Sequence, residues 1–111
     1  MTPRTEQSPL NALERAILDA MTREHPSLVV DADRLHVRSR RYTGVGSYTD
    51  FACDDSGEPR TLRLKARITM PGLPNGMGAV LYLCGRQLQC LETFTSGDDY
   101  WDGASEGFSV S

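Results

Sequence analysis

From Gln87 to the C-terminus the chain has no lysine or arginine, while Glu92, Asp98, Asp99, Asp102 and Glu106 give this stretch a net charge of −5. All 12 basic residues lie in residues 1–86, against 10 acids. An overall charge of −3 argues against unspecific nucleic-acid binding through the whole surface. Cysteines are few and odd in number: Cys53, Cys84 and Cys90, with no C-x-x-C spacing. That argues against a disulfide framework, a zinc ribbon and a redox pair, and fits reduced thiols. The only histidines, His25 and His36, form no H-x-x-H or His/Cys cluster, so no metal site is expected. No apolar run approaches the length of a membrane span; the longest, such as Ala79–Cys84, suits a strand. The polar start, Met1–Ser8, lacks the apolar core of a signal peptide, and the expected location is the cytoplasm.

What is present fits one soluble domain. At 111 residues, 39% apolar and 24% charged, the chain can bury one modest core without metal or disulfides. Residues 1–8 are expected to be disordered and 9–111 to form the domain. Ser8-Pro9 has the form of a helix start, and Leu10, Leu13, Ile17, Ala20 and Met21 make an apolar stripe at three- and four-residue spacing. Glu14, Arg15, Asp19 and Arg23 fall largely outside it. His25-Pro26 ends the helix, predicted at Pro9–Glu24. Leu28-Val29-Val30 is either a helical turn or an extended piece under the helix.

From Arg34 the period is two. Arg34, His36, Arg38 and Arg40 alternate with Leu35, Val37, Ser39 and Arg41. Leu62, Leu64, Ala66, Ile68 and Met70 alternate with Arg63, Lys65, Arg67 and Thr69, the clearest strand in the chain. Pro71–Gly78 has the composition of a loop, Ala79–Cys84 of a central strand, and Gly85-Arg86 of a two-residue hairpin turn leading to Gln87–Thr95. Phe108-Ser109-Val110 can add a short edge strand. One helix followed by four to six mainly antiparallel strands defines an α+β two-layer sandwich.

Three constellations compete as sites, and none contains a nucleophile–base pair or a metal-ligand set; no catalysis and no cofactor are expected. The first is Asp98-Asp99-Tyr100-Trp101-Asp102, with aromatic anchors beside carboxylates that would steer a basic partner. The competing reading is a surface loop whose Trp101 folds back onto the sheet. The second is a basic sheet face, with Arg38 and Arg40 beside Arg63, Lys65 and Arg67, suited to nucleic acid or an acidic ligand. The bland alternative is a solvated face. The third is Tyr42–Phe51, where Gly44-Val45-Gly46 interrupts strand-forming residues. These glycines read first as a bulge or tight turn; the alternative, a small-ligand or enzyme pocket near Gly44–Tyr48, requires Tyr42, Tyr48, Asp50 and His36 to converge.

Thr43-Gly44-Val45-Gly46, Leu91–Asp98 and the helix ending at Glu24-His25-Pro26 together resemble a group of small uncharacterised bacterial helix-plus-sheet proteins. Thr93 and Ser96 depart from that group's late-strand pattern. The resemblance implies a fold and no catalytic residues. In size, charge and architecture the chain is also similar to immunity proteins that neutralise secreted toxins, which implies a protein partner, a basic toxin domain; the short apolar runs imply no membrane.

Overall fold

Asn11 opens the helix through a reciprocal cap. Its side chain accepts from the Glu14 N–H (2.8 Å), and the Glu14 carboxylate accepts from the Asn11 N–H (2.9 Å). Helix α1 accordingly spans Ala12–Glu24. The computed structural model describes residues 10–31, 35–53 and 57–111, so Ser8, Pro9, the expected disordered start and Arg34 lie outside the described residues. The start signal at Ser8-Pro9 gives way to Asn11 because only Asn11 has an acid three residues on to complete the box.

Seven strands follow: β1 (Val37–Tyr42), β2 (Gly46–Phe51), β3 (Pro59–Arg63), β4 (Ile68–Met70), β5 (Leu73–Cys84), β6 (Gln87–Thr95) and β7 (Ser109–Val110). They form one antiparallel sheet in the order β1-β2-β6-β5-β4-β7, with β3 pairing the second half of β5. The expected α+β class holds, with one strand more than the upper expectation. The molecule measures 38 × 37 × 21 Å, and its short axis is the thickness of a sheet plus one helical layer.

Only one face of the sheet is covered. Leu13, Ile17, Leu18 and Met21 of α1 pack onto Phe51, Ile68, Met70, Met77, Ala79, Leu81, Leu83 and Leu91. The helix crosses the strands: Glu14 reaches β1 and β2, and Glu24 reaches the β3–β4 edge. Leu28, whose N–H closes the turn after α1 on the His25 carbonyl at 2.8 Å, joins the core, while Val29 is exposed. The C-terminal segment runs from the β1–β2 turn, past Pro71, to the β4 edge. Trp101 enters the core from this segment, and burial of such a side chain is worth about 3–5 kcal/mol against alanine.

Two local departures from the expected pattern have one cause each. In β1 the register slips between Val37 and Ser39, and a one-residue bulge at Arg38 reverses every side chain after it. Arg40 therefore turns inward and Arg41 outward, the opposite of the plain alternation. The inward guanidinium meets buried Glu14 in two bonds, Nε to Oε2 at 2.8 Å and Nη2 to Oε1 at 2.7 Å. The Thr49 hydroxyl donates a further bond to the same carboxylate at 2.7 Å. Glu14 is thus a core residue, not part of the solvated helix face.

The strand expected from Leu62 to Met70 is split into β3 and β4. Four residues, 64–67, stand opposite two of β5, because Arg63 pairs Val80 while Ile68 pairs Met77. The two extra residues preserve the side-chain phase, so Leu62, Leu64, Ile68 and Met70 still face the helix. The freed amides of Lys65 and Ala66 donate to the Glu24 carboxylate at 2.7 and 2.8 Å. The Pro71–Gly78 loop shrinks to a turn at Pro71-Gly72, since β5 already begins at Leu73. Gly76, with φ +72°, absorbs the irregularity there, and a Cβ on it would lie 2.6 Å from the Ile68 carbonyl oxygen.

Candidate functional site

The β1–β2 connection is a tight turn in which the two glycines do different work. Gly44 takes φ +90°, which only glycine adopts freely. Gly46 lies against β6 so closely that a Cβ would sit 2.0 Å from the Thr93 carbonyl oxygen. The turn is stitched to the end of β6 and to the segment beyond it: Thr95 N–H donates to the Val45 carbonyl and Trp101 N–H to that of Gly44, both at 2.8 Å.

These bonds bring two segments that are 50 residues apart in sequence into one surface. Trp101 is 5% exposed, meets Tyr42 edge-on at 5.7 Å between ring centroids, and donates its indole N–H to the Ala104 carbonyl at 2.9 Å. Its neighbour Tyr100 is 75% exposed and lies over Gly44, the ring about 3.8 Å from where a Cβ would be. Tyr42 and Val45 are the other exposed large apolar side chains at this end of the sheet. A shallow cleft of about 160 Å³ runs between Tyr100, Trp101 and the Pro71–Leu73 turn.

The structure divides the five residues of the acidic-aromatic loop. Tyr100, Asp98 and Asp102 are exposed and Asp99 is half-buried. The Asp102 carboxylate accepts the Ala104 N–H at 2.9 Å, and Asp99 accepts from the Asn75 amide at 3.1 Å. Trp101 is taken by the core, so its rings hold the loop in place and leave the contact surface to Tyr100. Tyr42 and Val45 join that surface. The sequence sign for Val45 is its place between two glycines at a hairpin tip; Tyr42 stood out only as a member of the Tyr42–Phe51 constellation, with different partners.

The basic residues are not brought together. β1 and β3 lie on opposite sides of β2, β6 and β5, about 19 Å apart at the usual strand spacing. Arg38 is exposed on one edge, while Arg63, Lys65 and Arg67 are exposed on the other. Arg40 belongs to neither surface, being held by Glu14, whose hydrogen bond raises the pKa of the guanidinium further. Tyr42, Tyr48, Asp50 and His36 do not converge either. Tyr42 sits beside Trp101 on the helix side, Tyr48 and Asp50 are on the open face, and His36 lies exposed before β1.

The open face has its own polar cluster. Glu92 accepts from the hydroxyls of Tyr82 (2.8 Å) and Tyr48 (3.3 Å), and Arg41 stacks on the Tyr48 ring at 5.0 Å. Glu92 raises both tyrosine pKa values, chiefly by its charge at Tyr48 and by its hydrogen bond at Tyr82. Burial, then a hydrogen bond to Asp50, pushes the Cys90 thiol up to about 12. A thiol so raised is protonated at neutral pH, the reverse of what a nucleophile needs. All three cysteines are free. Among the described residues no group of three or more His, Cys, Asp or Glu is placed to hold a metal ion. No helix among them is long and apolar enough to cross a membrane.

The fold and site define a single-helix α+β domain with an aromatic-acidic patch at one end of its sheet. No family model matches the chain, and no curated protein or solved structure is found similar to it.

Proposed function

We propose that this protein is a small non-catalytic binding domain that docks a basic protein surface through Tyr100, Tyr42 and Val45, with Asp98, Asp99 and Asp102 at the rim. The observation that carries this reading is the pairing of a 75% exposed Tyr100 with a 5% exposed Trp101 on adjacent residues. The buried ring fixes the backbone, so the exposed ring is presented with little left to order on binding. Exposed aromatics with a carboxylate rim are the usual composition of an interface centre that captures a cationic partner. In the form implied by the resemblance, the domain is a bacterial immunity-type protein acting in the cytoplasm on a basic toxin domain.

The test is affinity isolation from native lysate with the tagged full chain and its Tyr100→Ala variant in parallel. One stoichiometric protein partner, bound at least 30-fold more weakly by the variant, is expected; that factor is about 2 kcal/mol, the threshold for a hot spot. Equal capture by both proteins, or recovery of nucleic acid in place of protein, removes the patch from the function.

A further inference from the structure

At the opposite end of the sheet a second concave site lies between the β5–β6 turn and the segment that follows α1. Its cavity, about 710 Å³, is lined by Ser27, Leu28, Val29, Arg60, Leu83 and Arg86. That volume falls within the range of small-molecule sites. The floor is apolar: Leu83 is 1% exposed and Leu28 9%. Val29 stands on the rim at 82% exposure, more than any other large apolar side chain among the described residues.

The two charged side chains that line this floor are both cationic. Arg60 pairs Leu83 across β3 and β5, on the face where the neighbouring strand residue Leu62 packs into the core. Arg86 projects from the two-residue turn that joins β5 to β6. Neither guanidinium makes a hydrogen bond or ion pair with a described residue, unlike Arg40 and Arg23, which are held by Glu14 and Asp19. None of the described lining residues carries a carboxylate. Arginine lays its alkyl stem along apolar surface and offers a planar fork to an oxyanion.

We infer that this groove binds a single-chain organic anion, an acyl carboxylate. Its chain lies over Leu28, Val29 and Leu83, and its carboxylate accepts bonds from Arg60 and Arg86. The charge selects an anion, and the apolar floor with exposed Val29 selects one with a hydrocarbon body over a bare phosphate or a polynucleotide. The site is separate from the Tyr100 patch and does not depend on the role assigned there.

The experiment is isothermal titration of the full chain with dodecanoate, kept below its micelle concentration, at low ionic strength. One saturable site is expected. The exposed pair Arg60→Gln/Arg86→Gln, checked for native circular dichroism, should weaken dodecanoate at least tenfold, the scale of one charge-assisted hydrogen bond. Dodecyltrimethylammonium should bind at least tenfold more weakly than dodecanoate, and Tyr100→Ala should bind dodecanoate unchanged. Absence of saturation, equal binding of the cationic amphiphile, or undiminished binding by the double variant overturns the inference.

Discussion

The two glutamates at the ends of α1 face the same sheet and solve opposite problems. Glu14, 3% exposed, sits in the first turn, where the helix dipole favours a negative charge. It takes charged and hydroxyl donors from β1 and β2 and one backbone amide from its own cap. Glu24, half-buried, sits in the last turn, where the dipole opposes it. It holds two backbone amides that the interrupted edge of the sheet cannot pair for itself. One acid compensates an inward cation and the other compensates missing strand pairing. The lesson is that a helix laid across a sheet is fixed by both of its ends, through different currencies of hydrogen bonding.

Breaking the first end has the larger effect. Glu14→Ala removes the buried carboxylate that holds the half-buried Arg40 guanidinium and the Thr49 hydroxyl, and should destabilise by about 3 kcal/mol in urea denaturation, the lower end of the range for breaking a buried ion pair. A loss below about 1 kcal/mol shows that the cluster contributes geometry and little energy. The comparison sharpens if Glu14→Leu is combined with Arg40→Met, because removing both charges together should restore most of the loss.

Breaking the second end is milder, since Lys65 is exposed and water can replace the carboxylate at its amide. Glu24→Ala should cost about 1–2 kcal/mol, and Glu24→Gln, which keeps one acceptor oxygen, less than that. The same variant should speed amide hydrogen exchange at Lys65 and Ala66 selectively. Uniformly faster exchange across the sheet would mean that Glu24 supports the fold globally, as Glu14 does.

Much of this architecture is legible in the residues. The helix stripe, the β5–β6 turn at Gly85-Arg86, the edge strand near Val110 and the α+β class all follow from periodicity and turn chemistry. The bulge at Arg38 is not legible, because nothing local to β1 demands it; the demand comes from Glu14, 26 residues away in sequence. The split of the Leu62–Met70 run is hidden for the same reason. Its period of two is intact, and only the carboxylate at the far end of α1 makes the interruption affordable. Tyr100 and Trp101 show how far composition reaches at the site. Their chemistry and neighbours are nearly identical in sequence, and the bonds from Trp101 to Gly44 and Ala104 decide which ring is buried.

The excursion at residues 64–67 bears on how such a chain tolerates changes in length. Because it adds two residues and keeps the faces in phase, it behaves as a frame-preserving insertion within a strand. Removing Lys65 and Ala66 together should join β3 and β4 into one continuous strand and return a folded protein. Removing Ala66 alone inverts Ile68 and Met70 toward solvent, and far-ultraviolet circular dichroism with thermal melting would distinguish the two. Along the β3–β4 edge, unlike β1 with its one-residue bulge, length changes in even steps should be tolerated and odd ones should not.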